Sequence, residues 1–189
     1  MEQYIDEIKI PQERIAVLIG VKGETKKSIE KEFKVKIKID SDTGDVEISG
    51  KDGFKVFVAK NVVHAIGRGF NPSIAMKLKN EDYFFDMIDI SDYGNTKNAK
   101  FRLKSRVIGT EGKARRNIER LTNTDIEIYG KTIGIIGLSE DVVLAKKAIE
   151  MLLEGAKHAT VYRYLEKINK RRSFENMLNS LSYTKNFEE

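Results

Sequence analysis

The chain has 189 residues, with no cysteine, two histidines (His64 and His158), 33% charged residues and a formal net charge of +5. This composition excludes disulfides, a thiolate nucleophile and Cys- or His-rich metal sites, and the longest apolar runs fall well short of a membrane span. The first residues (MEQYIDEIKI) lack the pattern of a secretory signal, so a cytoplasmic protein with no metal or other cofactor is expected. The charge is clustered: residues 9–38 hold 9 Lys/Arg against 4 Asp/Glu, residues 100–120 hold 8 against 2, and residues 157–172 hold 6 against 1. The remainder is therefore net acidic. Such clustering points to a polyanionic partner, nucleic acid ahead of any membrane surface.

In chain order, residues 4–10 read as a strand ended by Pro11, and residues 13–19 as a short apolar helix. Gly20-Val21-Lys22-Gly23 follows, then a basic amphipathic helix over 24–33. Residues 34–40 (KVKIKID) alternate with period two, Asp42-Thr43-Gly44 supplies a turn, and residues 46–49 return as a second strand. A helix starts at Asp52, with Phe54, Val58, Val62 and Ile66 expected on its core face, and ends at Gly67 and Gly69. Asn71-Pro72 opens a short helix, proline being well placed at a first helical position.

The second half predicts a strand over 87–91 and a basic helix over 98–108. Gly109-Thr110-Glu111-Gly112 follows, then a helix over 113–121 and a hairpin pairing 126–128 with 133–136. A helix over 140–153 turns Val142, Ala145, Ile149 and Leu152 inward. A last helix starts at residue 157 and runs to about residue 181; it either binds a polyanion or packs Val161, Leu165 and Ile168 onto a domain and solvates its basic face. Residues 183–189 (YTKNFEE) are expected to fray.

The two halves repeat. The first Gly-x-x-Gly maps onto the second at an offset of 89, as do Ile37 and Ile39 onto Ile126 and Ile128; Val46, Ile48 and Gly50 map onto Ile133, Ile135 and Gly137 at 87. Ala59-Lys60 map onto Ala145-Lys146, and Gly69 onto Gly155, at 86. The offset changes only at loops, where length changes are tolerated, so two duplicated domains are expected.

A turn between helices that must touch a sugar–phosphate chain cannot carry Cβ atoms at its ends, and glycine there permits both the turn and the approach. The first N–H groups of the following helix are unpaired and lie at its positive end. The candidate nucleic-acid site is therefore Leu18, Ile19, Gly20, Val21, Lys22, Gly23, Lys26, Lys27 and Ile37 in the first half. In the second it is Arg106, Gly109, Thr110, Gly112, Lys113, Arg115 and Arg116, with Arg102 and Lys104 widening the basic surface. Leu18, Ile19, Val21 and the strand over 35–39 are expected to line an apolar groove for bases. Glu111 stands where phosphates would approach the second loop, so the first half is expected to read bases and the second to add backbone contacts or dock structured RNA. His64, on a core-facing helix, is expected to be structural. Gly20 to Ser28 lacks the glycine spacing of a P-loop, and Gly67-Arg68-Gly69 follows a helix and lacks the third glycine of a dinucleotide fingerprint. No carboxylate cluster suggests a two-metal nuclease, and no enzymatic activity is expected.

Strand, helix, Gly-x-x-Gly, helix, strand, strand, helix is the order of a type I K-homology (KH) domain, and both halves resemble one; in type II the paired strands precede the loop. The resemblance implies an α+β fold of two type I KH domains, each β-α-α-β-β-α with a three-stranded antiparallel sheet packed on three helices, plus a C-terminal helix. The expected division is a first KH domain over 1–69, a linker with a short helix over 70–85, a second KH domain over 86–155, and a basic C-terminal helix and tail over 156–189. The linker, RLKSRVIGTEGKARRNIE (102–119) and VYRYLEKINKRRSFENML (161–178) together are similar to the small-subunit ribosome assembly factors known as the partner of the Nob endonuclease. An intact Gly-x-x-Gly in both halves is similar to the archaeal members. The resemblance implies single-stranded RNA at the 3′ end region of small-subunit rRNA as ligand, clamped over about four nucleotides per loop. It also implies the Nob-type endonuclease and other small-subunit or translation factors as partners. The alternative is a protein-docking adaptor, or a general RNA-turnover cofactor using its KH domains nonspecifically.

Overall fold

The computed structural model describes residues 3–185, and side chains as far as residue 178. The first unit comprises β1 (Tyr4–Lys9), α1 (Gln12–Ile19), α2 (Glu24–Phe33), β2 (Val35–Ile39), β3 (Asp45–Gly50) and α3 (Gly53–Gly67). A short α4 (Pro72–Ala75) bridges to β4 (Tyr83–Asp89), α5 (Lys97–Ile108), α6 (Lys113–Thr122), β5 (Asp125–Tyr129), β6 (Thr132–Leu138) and α7 (Ser139–Leu153). The last element, α8, spans His158–Lys185. Each unit holds an antiparallel sheet, ordered β1-β3-β2 and β4-β6-β5. Ile37 lies opposite Ile48 in one, and Ile126 opposite Ile135 in the other. This is the tandem type I KH arrangement.

Local chemistry sets the element ends. Asp52 caps α3 by accepting the N–H groups of Phe54 and Lys55 at 3.0 and 3.3 Å, and Asn71 accepts that of Ser73 at 3.0 Å just ahead of Pro72. Helices α2 and α6 both stop at a left-handed residue, Lys34 and Asn123.

Three expectations need correction. β4 begins at Tyr83, inside the stretch assigned to the linker, and Ser91 lies beyond its end in a tight turn. Phe54 is exposed, and the inward face of α3 is Val56, Ala59, Val62, Val63 and Ile66. A line drawn every four residues advances about 40° per step, so from Ile66 back to Phe54 it winds off the core. The last helix continues past residue 181 to Lys185; residues 186–189 of the tail expected to fray lie outside the described residues.

The two units share a packed junction. Ile133 and Ile135 of β6 point into the second core, whereas Ile136 belongs to the first. Phe70 sits over Gly134 and meets Phe85 edge-on at 5.9 Å. Buried on both faces, β6 reads TIGIIGL with no alternation, while β3, with a solvated outer face, reads DVEISG. Lys77 pairs with Asp125 at 2.5 Å across the junction, and the Tyr129 hydroxyl donates to Glu13. Arg14 donates to the carbonyls of Ile66 and Phe70, both at 2.8 Å, with its guanidinium 6.0 Å from the Tyr129 ring centre. His64 meets Phe85 edge-on at 5.4 Å, and desolvation, aided by Arg68 and Lys60, lowers its pKa from 6.5 to about 4.

Helix α8 packs on the second unit. Val161 and Leu165 are buried, Asn169 donates to the Leu121 carbonyl at 2.7 Å, and Arg172 pairs with Asp141 at 2.7 Å. Lys157, just before it, and Arg163, Lys167, Lys170 and Arg171 along it are exposed.

Candidate nucleic-acid interface

The two glycine loops have one geometry. Gly20 and Gly109 hold φ/ψ of 73/174° and 71/173°; Lys22 and Glu111 hold 52/23° and 51/27°; Gly23 and Gly112 hold 78/16° and 74/14°. Each loop is closed by a glycine N–H donating to the other glycine's carbonyl, Gly23 to Gly20 and Gly112 to Gly109, both at 3.1 Å. Glycine is required twice over at the first position: a Cβ on Gly20 would stand 2.3 Å from Thr25 Oγ1, and one on Gly109 2.6 Å from Ala114 Cβ. Lys22 and Glu111 are non-glycine residues in the left-handed region, a strain of order 1 kcal/mol each that marks a constrained functional turn.

A cation of the following helix steadies each loop. Lys27 Nζ reaches the Lys22 carbonyl at 3.5 Å, and Arg116 Nη2 donates to the Glu111 carbonyl at 2.6 Å. Val21 is 76% exposed, and Lys22, Lys27, Thr110 and Lys113 are exposed beside it on their respective loops. Ile19 and Ile39 are partly buried against the first core and offer the apolar surface beside the first loop. In the second unit Ile108 and Ile128 occupy the same places.

Four of the expected site residues are engaged elsewhere. Leu18 and Ile37 are 0% and 1% exposed: their side chains form the core, because Leu18 lies on the inward face of α1 and the inward alternation of β2 falls on Val35 and Ile37. Arg106 turns away from the loop and donates to the carbonyls of Gly155 and Ala156 at 2.7 and 2.8 Å, pinning α5 to the turn before α8. Arg115 bridges Glu119 at 3.1 Å and Glu127 at 3.0 Å. Its counterpart Lys26 approaches Glu30 only at 4.0 Å.

The edge strands carry the sharpest contrast. Glu30 accepts the N–H of Ile37 at 2.8 Å and Glu119 that of Ile126 at 2.9 Å, so α2 holds β2 as α6 holds β5. On the rim outside that contact the first unit presents Lys36 and Lys38; the second presents Asp125 and Glu127 at the same offset of 89. With Lys22 replaced by Glu111, three cations of the first unit become three carboxylates in the second. Lys38 is paired with Glu47 at 2.7 Å, and among the described residues no ion pair engages Lys36, whereas Glu127 and Asp125 of the second rim are paired with Arg115 and Lys77. Sequence reasoning missed Lys36 and Lys38, though the alignment that matched Ile37 to Ile126 already placed them.

Comparison with known proteins agrees with this geometry. Residues 84–170 match the model of a eukaryotic-type KH domain (KH-domain type I), and residues 5–65 that of a KH domain. A KH domain-containing protein of Methanocaldococcus jannaschii is 51% identical over 170 residues, covering 88% of this chain and 74% of that protein. The RNA-binding protein pno1 of Dictyostelium discoideum is 31% identical over 177 residues, 90% of this chain and 74% of its own length. The chain belongs to the Pno1/Dim2 family. Among solved structures, a chain of the a/eIF2alpha-aDim2p-rRNA complex from Pyrococcus horikoshii aligns with a TM-score of 0.84 and 44% identity, over 89% of this chain and 96% of that one. This Pno1/Dim2 member keeps both glycine loops in one backbone conformation while giving the two KH units opposite rim charge.

Proposed function

We propose that this chain is an RNA-binding ribosome assembly factor. It holds single-stranded RNA at the 3′ end region of small-subunit rRNA, and the first KH unit reads the strand. The observation that carries the reading is the first loop's geometry together with its charge. Gly20 and Gly23 admit a phosphate backbone, Val21 and Lys22 are exposed at its apex, and Lys36 and Lys38 are exposed on the edge strand β2. The names of the relatives support the role: one is an RNA-binding protein, another a pre-rRNA-processing protein, and the Pyrococcus horikoshii Dim2 protein was solved with rRNA and a/eIF2alpha.

On this reading the second unit contributes backbone contacts, and the chain presents RNA to other factors and cuts nothing itself. A Nob-type endonuclease and an a/eIF2alpha-type translation factor are its proposed protein partners, and the cytoplasm its proposed location. Fluorescence anisotropy tests the RNA assignment, with a labelled 3′-end oligonucleotide against a scrambled one of equal length across rising salt. The preference for the 3′-end sequence is expected to persist as total affinity falls. Equal affinity for both at every salt concentration would leave charge attraction alone and favour the adaptor reading.

A further inference from the structure

The residue that opens α1 and its counterpart one turn into α5 differ in a way that changes what the second groove can hold. Gln12 donates from Nε2 to the Asp42 carbonyl, so the turn between β2 and β3 folds down onto the start of α1 and closes that end of the first groove. At the offset of 89, Gln12 corresponds to Phe101. The second repeat's turn is two residues shorter, and its Lys131 pairs with Asp89 at 3.1 Å rather than reaching α5. Phe101 is left 70% exposed at the open end of the second groove.

Phe101, Ser105 and Ile108 stand at i, i+4 and i+7 and share one face of α5, leading straight into the loop at Gly109. At 1.5 Å of rise per residue, Phe101 lies about 12 Å along the helix from that loop. The helix carries Lys97, Lys100, Arg102, Lys104 and Arg106 and no carboxylate. Arg106 is turned inward, and among the described residues no ion pair engages the other four. An exposed aromatic ring on cations without partner carboxylates is the chemistry of a base-stacking platform beside an electrostatic track.

We propose that Phe101 is such a platform: a nucleotide of single-stranded RNA leaving the second KH loop stacks on its ring, with Lys97, Lys104 and Arg102 flanking the backbone. This rests on the RNA-binding reading and adds a contact outside the glycine loop. It also gives the second unit a mode of its own. Its strand edge is closed by Arg115, Glu119 and Glu127, so its RNA runs along α5 instead.

The chain contains no tryptophan, so Phe101→Trp installs a single indole reporter. With single-stranded oligoadenylate and with the 3′-end oligonucleotide, the indole emission is expected to be quenched on binding. Phe101→Ala is expected to weaken anisotropy-measured affinity about tenfold. Because the ring is exposed, the alanine variant is expected to keep the wild-type unfolding temperature; early unfolding would make Phe101 part of the core and overturn the platform. RNA binding with unchanged indole emission and undiminished alanine-variant affinity also overturns it, and leaves the RNA-binding reading intact. Absence of RNA binding by the wild-type chain removes both.

Discussion

Gly134 lies beneath the ring of Phe70, where a β carbon would stand 2.6 Å from Cε2 of that ring. The matching position in the first unit, at the hairpin offset of 87, is Glu47, which faces solvent and pairs with Lys38 at 2.7 Å. One sheet is thus open on its outer face and the other is covered by its neighbour. Overpacking this contact with Gly134→Ala is expected to cost about 1–3 kcal/mol of stability, since Phe70 is buried and wedged against Phe85. Denaturant unfolding measures it; an unchanged midpoint would mean the junction tolerates the extra methyl.

His64 makes the same junction sensitive to acid. Its pKa in the fold is about 4 against an ordinary 6.5, because burial disfavours the imidazolium. Between those values the unfolded chain binds more protons than the folded one. Stability is therefore complete above about pH 6.5 and is lost as pH falls toward 4. The loss stays below about 3.4 kcal/mol, because water still reaches the part-buried ring and screens its charge. His64→Phe keeps an aromatic edge on Phe85 and removes the titration. Wild type is expected to lose stability relative to that variant as the pH is lowered from 7 to 4, and parallel curves would contradict the assignment.

The left-handed residues of the two loops separate folding from binding. Lys22→Gly and Glu111→Gly each relieve a strained φ and are each expected to raise stability by up to about 1 kcal/mol. Lys22→Gly is also expected to weaken RNA binding, because it removes an exposed cation from the first loop. Glu111→Gly is expected to leave binding equal or stronger, because it removes a repelling carboxylate. Thermal unfolding and anisotropy on the same samples read both effects; RNA affinity weakened by Glu111→Gly would assign the carboxylate a binding role.

Most of the fold was legible because each local signal agreed with its neighbours. Asp52 and Asn71 cap where helices were expected, and the period-two pattern of 34–40 marked the strand that forms as β2. What stayed hidden were the contacts made between units. Phe70, Gly134 and Ile136 signal them only through the missing alternation of β6, and Arg14 and Tyr129 carry no local pattern at all. At the site, the glycine loops were legible from their repetition. The side chains of Leu18, Ile37, Arg106 and Arg115 were misassigned because proximity in sequence to a loop says nothing about which way a side chain turns.

The rim lysines test the electrostatic half of the first site. Lys36→Gln/Lys38→Gln is expected to weaken RNA binding and to flatten its log–log salt dependence by up to about 1.4, at roughly 0.7 for each phosphate of a single strand that is no longer neutralised, with the smaller share from Lys38 because Glu47 already pairs it. Lys36 and Lys38 are exposed, so folding is expected to be unaffected. A salt slope identical to wild type would take the rim out of the RNA path.

The most direct measurement compares Val21→Asp/Lys22→Asp with Thr110→Asp/Lys113→Asp by fluorescence anisotropy at physiological salt. Each is titrated with the labelled 3′-end oligonucleotide of small-subunit rRNA and with its scrambled control. The first double substitution is expected to abolish the preference between the two oligonucleotides; the second is expected to lower affinity for both and keep the preference. Loss of the preference in the second variant alone would contradict the assignment of base reading to the first KH unit.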